Sequence, residues 1–101
     1  MSKNLENLVK KIRDRKSMDE DKSYTSSLLA GGLVKCIDKL QEEFDELKEA
    51  LNDKSNIVHE AADIIYHILV TLEAADIKFE DVLKELEDRK KQSGIEEKNN
   101  R

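Results

Sequence analysis

The sequence lacks proline and tryptophan, and it contains only three glycines, one cysteine and 4% aromatic residues. Few turn-forming residues and few β-branched or aromatic runs exclude a sheet-rich fold and favour an all-α fold. The lone cysteine, Cys36, excludes an intramolecular disulfide, and its place in a helical apolar pattern predicts a packed small side chain. No apolar run approaches the roughly 20 residues that span a bilayer, and no segment resembles a signal peptide. We therefore expect a cytoplasmic protein without a membrane partner.

Charge is abundant and unbalanced: charged residues make up 41% of the 101 residues, and the formal net charge is −5. This balance disfavours nucleic acid as a partner, because binding to the phosphate backbone needs a basic surface. It still permits a phosphorylated small molecule, since a divalent cation can bridge carboxylates to phosphates. The length fits one domain, 1–101. A domain this small and polar suits amphipathic helices whose apolar stripes meet in a bundle or a dimer.

Apolar periodicity predicts four helices, at about residues 4–15, 25–51, 57–75 and 79–92. The third is apolar around most of its circumference and should be the central, most buried helix. Polar segments between the helices predict a loop and a connector, at 16–23 and 52–56. Gly94 is placed to end the last helix, and residues 96–101 are expected to form a flexible, solvated tail.

The second predicted helix carries a seam of apolar residues in alternating steps of four and three, a pattern typical of a long helix packed lengthwise on partners. The seam consists of Leu33, Ile37, Leu40, Phe44, Leu47 and Leu51. Gly31 and Gly32 near its start weaken the helix and allow a kink or a break. The seam and the small core both favour a packing partner.

Acidic residues interrupt the most apolar predicted helix. At about 100° per residue, Glu60, Asp63 and His67 lie on one narrow stripe. A buried carboxylate is costly unless it is paired or binds a metal, so two of them need a common cation or a solvated cleft. For His67 alone, a hydrogen-bonded structural role and a functional role are both open.

The second predicted helix offers a matching acidic face. Glu42, Glu43 and Glu46 are three or four residues apart, and their mutual repulsion would be relieved by a divalent cation. Lys39 and Lys35 continue the stripe and could meet phosphate oxygens. Mg²⁺ suits these ligands, because it is a hard cation that takes oxygen ligands and shares its shell with phosphates. The alternative is a solvated, coiled-coil-like face.

The order of the acids is Glu-Glu-x-x-Glu, thirteen intervening residues, then Glu-x-x-Asp. Further motifs follow in order along the chain: Ser23-Tyr24-Thr25, EAADIIYH at 60–67, FEDVLKEL at 79–86, Arg89, and QSGIEEK at 92–98. Together, from Leu5 to Lys98, they resemble the phosphoribosyl-ATP pyrophosphatase family of the all-α NTP pyrophosphohydrolase superfamily. QEEF at 41–44 departs from the family's usual Gly-Glu-Glu-Ala and leans towards MazG-like relatives.

The resemblance implies Mg²⁺-dependent hydrolysis of phosphoribosyl-ATP to phosphoribosyl-AMP and pyrophosphate, in histidine biosynthesis. It implies that the principal Mg²⁺ ligands are Glu43, Glu46, Glu60 and Asp63. Glu42 would assist, either as a further ligand or by orienting the attacking water, so that Glu42 and Glu43 are the candidate catalytic carboxylates. A carboxylate near the water would accept its proton. The resemblance also implies a homodimer, in which four helices per chain complete a joint bundle.

Substrate contacts are implied for a further set of residues: Lys39, Lys35, Tyr24, Thr25, His67 and Arg89. The lysines would meet phosphates, although a solvated lysine with a partner along the helix is equally open. Thr25 could instead cap a helix, and Arg89 could simply belong to a helix terminus. Two rival functions stay open. One is a MazG-like house-cleaning NTP pyrophosphatase, and the other is a non-catalytic helical interaction module.

Overall fold

The computed structural model describes residues 3–90, and these residues form helices and connecting turns without a β-strand. The α-helices are α1 (Lys3–Arg15), α2 (Tyr24–Ala30), α3 (Gly32–Asp53), α4 (Ile57–Ala74) and α5 (Phe79–Arg89). A short 3₁₀ helix, Glu20–Lys22, lies within the predicted loop before α2. The all-α prediction is confirmed. The predicted count of four helices is wrong, because the second predicted helix is two helices, α2 and α3.

The division between α2 and α3 lies at the two adjacent glycines. Gly32 has φ +86°, a left-handed conformation that glycine adopts at little steric cost and other residues rarely adopt. The N–H of Gly31 donates to the carbonyl oxygens of Ser27 and Leu28, both at 3.2 Å, which closes the last turn of α2. The chain therefore changes direction at Gly32, and α2 is free to pack beside α4 instead of extending α3.

The central helix is α4, as predicted, since α1, α2, α3 and α5 all contact it. Its most extensive contact is with α3. The two helices form a hairpin whose short loop contains two residues in the left-handed conformation, Lys54 (φ 56°) and Asn56 (φ 58°). The core comprises Val9, Ile12, Leu28, Cys36, Leu69 and Val70, drawn from α1, α2, α3 and α4. Burial of Cys36 confirms that it packs as a small apolar side chain.

The apolar seam on α3 is largely uncovered in the single chain. Ile37, Phe44 and Leu51 are each about half exposed, and α4 adds two exposed apolar side chains, Val58 and Ile65. We call this surface of α3 and α4 the apolar face. Several large apolar side chains exposed on one pair of helices are typical of an interaction site.

The last helix ends at Arg89, earlier than the predicted residue 92. The predicted stop at Gly94 and the predicted tail at 96–101 lie outside the described residues. Between residues 3 and 90, every helix is too short or too polar to cross a bilayer.

Candidate metal centre

Four carboxylates converge where α3 faces α4. Glu43 and Glu46 lie one turn apart on α3, and Glu60 and Asp63 lie one turn apart on α4. One oxygen from each residue can be chosen so that all four lie within 4.8 Å of one another. The structure thus brings together the four residues that the sequence suggested as metal ligands.

Two oxygens of this cluster are buried without a partner. Among the described residues, Glu43 Oε2 and Glu60 Oε2 have no hydrogen-bond donor and almost no contact with solvent. Burial, followed by the negative charge of Glu46, raises the pKa of both the Glu43 and the Glu60 carboxyl groups. A buried, unpaired carboxylate is unfavourable unless a cation or a proton compensates it. All-oxygen ligands at this spacing fit a hard divalent cation such as Mg²⁺.

Glu42 is separate from the four converging oxygens. Its Oε2 atom lies 3.2 Å from Lys39 Nζ, and both side chains are substantially exposed. Glu42 is thus the partner along the helix that the sequence left open for Lys39, as an alternative to a phosphate contact. Lys35 lies one turn earlier on α3 and is exposed. The two lysines and Glu42 are therefore accessible to solvent on the same helix as Glu43 and Glu46.

His59 is a neighbour of the cluster that the sequence reasoning missed. Its Nε2 atom lies 3.2 Å from Asp63 Oδ2, and with Glu60 and Asp63 it forms a second group of closely spaced ligand atoms. The available signal was its spacing of four residues before Asp63 on one helix, which places the two side chains on the same face.

His67 is buried, with 5% of its surface exposed. Its Nδ1 atom lies 2.9 Å from the carbonyl oxygen of Asp63, to which it must donate because a carbonyl only accepts. Its Nε2 atom lies 3.2 Å from the hydroxyl of Tyr24. Because both ring nitrogens have protein partners, the geometry favours His67 as a positioning residue that links α2 to the turn of α4 bearing Asp63. Its direct contact with substrate stays a prediction.

The start of α2 packs on the same part of α4. The hydroxyls of Thr25 and Tyr66 form a hydrogen bond, and the Tyr66 ring meets the His67 ring edge to face at 5.2 Å between centroids. Ser23, and not Thr25, is the N-cap of α2, since its Oγ accepts from the N–H of Ser26 at 3.0 Å. Thr25 is therefore available for another role.

Two sequence features lie away from the carboxylates. Arg89 is in the last turn of α5, where its Nε donates to Glu85 Oε1 at 3.2 Å, and a contact with substrate stays a prediction. Phe44 is 53% exposed and lines an apolar hollow of α3 with Leu47 and Leu51. The departure from the family's alanine at this position thus adds bulk to the apolar face and not to the metal centre.

The fold and the site define a helical protein with paired acids on two packed helices, an arrangement suited to binding a divalent cation. The model of the phosphoribosyl-ATP pyrophosphohydrolase family matches residues 5–90. The phosphoribosyl-ATP pyrophosphatase of Rhizobium etli is 42% identical over 99 residues, which cover 96% of this chain and 92% of the relative. That of Ruegeria pomeroyi is 45% identical over 96 residues, covering 93% and 91%. The chain belongs to the phosphoribosyl-ATP pyrophosphohydrolase family.

Proposed function

We propose that the chain hydrolyses phosphoribosyl-ATP to phosphoribosyl-AMP and pyrophosphate, in histidine biosynthesis, and that it requires Mg²⁺. The observation that carries the metal requirement is the convergence of Glu43, Glu46, Glu60 and Asp63, with two of their oxygens buried and unpartnered. The family and its similar relatives supply the substrate and the reaction.

The four carboxylates would hold the cation, and a bound Mg²⁺ would neutralise the charge of the triphosphate. Because α3 and α4 pack as a hairpin, the pair of acids on α3 is held facing the pair on α4. Little rearrangement would therefore be needed when the cation binds. Glu42 would accept the proton of the attacking water, since its carboxylate is exposed and its residue is next to Glu43 in the chain. Water supplies the oxygen that replaces the anhydride oxygen between the α- and β-phosphates, and pyrophosphate leaves.

The phosphates of the substrate would meet Lys39 and, one turn away, Lys35. Breaking the Lys39–Glu42 pair on substrate binding would free the ammonium for phosphate and the carboxylate for water. Tyr24, which is 56% exposed, would line the entrance. Partial burial raises the pKa of the Tyr24 hydroxyl. This hydroxyl lies 3.2 Å from His67 Nε2, and its oxygen keeps lone pairs that can accept a hydrogen bond from the substrate.

A second proposal concerns assembly. We propose that the apolar face joins two copies of the chain, because Ile37, Phe44 and Val58 are 49%, 53% and 85% exposed on the two helices that also carry the four carboxylates. Burying them would contribute roughly 25 cal/mol per Å² of apolar surface removed from water. We expect the dimer to act in the cytoplasm, where biosynthesis would supply its substrate.

The function is tested by measuring pyrophosphate release from phosphoribosyl-ATP, with and without Mg²⁺, beside ATP and other NTPs. Asp63→Asn removes a ligand charge without changing side-chain size, and we expect activity to fall at least about 1,000-fold. Asp45→Asn, an exposed acid on α3, is the matched control and should retain activity. Preference for ordinary NTPs would support a MazG-like enzyme, and no turnover of any substrate would support the interaction module.

A further inference from the structure

A cavity of about 150 Å³ opens between α1, the start of α2 and α4, away from the four carboxylates. Its apolar wall is formed by Leu8 and Ile12 of α1, and its polar wall includes Thr25 and Tyr66. Pockets that hold a whole drug-sized ligand usually measure roughly 300–1,000 Å³, so this cavity suits one group of a larger ligand.

Two cations line this cavity without an acidic partner. Within residues 3–90, neither Lys11 nor Arg15 is in an ion pair, and the recorded hydrogen bond of the Arg15 guanidinium is to the sulfur of Met18 at 3.5 Å. By contrast, Arg13 of the same helix pairs with Glu73 and Glu80. Lys11 and Arg15 are four residues apart, so their like charges repel modestly along the helix. An anion in the cavity would relieve this repulsion.

The hydroxyls on the opposite wall complete a polar lining. Thr25 and Tyr66 hydrogen-bond to each other, and the hydroxyl that accepts this bond keeps its own hydrogen to donate. A guanidinium, an ammonium and a hydroxyl donor together can recognise a phosphate monoester. Arginine contributes most to this recognition, because its guanidinium can bind two phosphate oxygens at once. The apolar wall would meet the sugar carbons next to such a phosphate.

The cavity adjoins the metal centre through α4. Tyr66 is three residues after Asp63, so the two side chains lie about one turn apart on neighbouring parts of the helix surface. His67 contacts Tyr66 and Tyr24 by its ring and Asp63 by its Nδ1 atom. An extended substrate bound along this part of α4 would place its triphosphate at the carboxylates and a second phosphate in the cavity.

We propose that this cavity is a phosphate-monoester subsite, in which Arg15 and Lys11 hold the phosphate of the phosphoribosyl group. The proposal rests on the proposed function and adds the feature that distinguishes the substrate from an ordinary NTP, which lacks this second phosphate. Arg15 and Lys11 are then the residues that determine specificity for phosphoribosyl-ATP.

Steady-state kinetics test this assignment with Arg15→Gln, Lys11→Gln and a matched control, Lys10→Gln, which removes one positive charge from the exposed surface of the same helix. We expect Arg15→Gln to raise KM for phosphoribosyl-ATP by about tenfold or more, and to raise KM much more than it lowers kcat. Lys11→Gln should act in the same direction, and Arg15→Lys should be intermediate because it keeps charge but loses the fork. Inhibition by ATP should change less than about threefold in Arg15→Gln, since ATP lacks the monoester.

A binding titration without Mg²⁺ separates this subsite from the hydrolytic function. In NMR spectra of the full chain, ribose 5-phosphate should shift the amide signals of Lys11, Arg15 and Thr25, whereas ribose should not, and Arg15→Gln should abolish the shifts. The assignment is overturned by equal KM values for Arg15→Gln and Lys10→Gln, or by equal weakening of ATP inhibition. A third outcome would also overturn it. In that outcome, inorganic phosphate and ribose 5-phosphate bind the cavity equally well, and neither competes with phosphoribosyl-ATP. If the wild-type protein were inactive, the proposed function would be contradicted. The titration would still test whether the cavity binds a phosphate monoester.

Discussion

At the scale of single residues, the buried oxygens of Glu43 and Glu60 couple stability to pH and to cations. Burial and the charge of Glu46 raise the pKa of both carboxyl groups above the ordinary value near 4.5. A raised folded-state pKa means that the native state holds the proton more tightly than the unfolded chain. The stability that these groups contribute is therefore complete below about pH 4.5 and is lost as pH rises through the folded-state pKa.

Glu43→Gln removes one of these charges, so the metal-free variant should melt a few degrees above the wild-type protein at pH 7. The difference should shrink as pH falls towards 4, where the wild-type carboxyl group takes up its proton. Mg²⁺ should stabilise the wild-type protein more than the variant, because it binds the native carboxylates. Thermal unfolding followed by circular dichroism measures all three effects. Asp45→Asn is the control, and an equal rise in that variant would show that net charge alone is responsible.

The resemblance to the family selected the four acids that converge, whereas the spacing alone predicted an acidic face on each of two helices, because positions i and i+3 share a face. The spacing could not predict that Glu42 would pair with Lys39 outside the converging set. The partners of His67 were also beyond the sequence, since Tyr24 reaches it from a separate helix and Asp63 offers a backbone oxygen. The spacing of residues predicts which side chains are neighbours within one helix. These contacts depend instead on how separate helices pack.

At the scale of elements, an ion pair attaches α5 to α1. Arg13 Nη2 lies 2.8 Å from Glu80 Oε1. The hydrogen bond from Arg13 is the main reason that the pKa of Glu80 is lowered to about 2. A lowered pKa gives stability that is present above the ordinary value of 4.5 and is lost as pH falls through about 2.

Glu80→Gln should therefore lower the melting temperature slightly at pH 7, and the difference from wild type should vanish near pH 2. The effect is small because the pair is exposed, and salt should weaken it further. Melting curves at low and high salt measure it. Glu87→Gln is the control, because its partner Lys90 lies in the same C-terminal segment and the pair joins no other helix. Equal losses in the two variants would contradict a role for Glu80 in attaching α5.

The break between α2 and α3 depends on Gly32. Gly32→Ala places a side chain at φ +86°, where no atom clashes but the backbone conformation is unfavourable. We expect a loss of about 1–2 kcal/mol of unfolding free energy. Gly31→Ala is the matched comparison, since its φ of −72° is ordinary. Its new Cβ meets only Lys35, whose Cδ must swing away and whose Cβ, at 3.2 Å, must give slightly. Urea denaturation ranks the two variants, and a larger loss for Gly31→Ala would contradict the conformational explanation.

The periodicity predicted the existence of the helices and the central place of α4, because apolar positions fix which face turns inward. The apolar pattern continues across Gly31 and Gly32, so it predicted one helix where the structure has α2 and α3. Two glycines weaken a helix without deciding whether it bends or stops. That choice depends on the contacts α2 gains on α4, through pairs such as Thr25 and Tyr66.

At the scale of the whole molecule, the apolar face predicts self-association. Phe44→Glu places a charge at its centre, so we expect the dimer to dissociate at least about tenfold more readily. Sedimentation at micromolar concentration measures the change. Gln41→Glu is the control, because it adds the same charge one turn earlier at an exposed polar position. A wild-type protein that is active as a monomer would contradict the proposal that the apolar face joins two copies of the chain.

The hairpin of α3 and α4 has a further consequence for the kinetics of folding. All four converging acids lie between Glu43 and Asp63, so the centre is closed by a short stretch of chain. Contacts that are close in sequence cost little loop-closure entropy and form early. The carboxylates can therefore assemble before α1, α2 and α5 dock. A cation that binds this nascent hairpin would accelerate folding, in addition to slowing the loss of the native state.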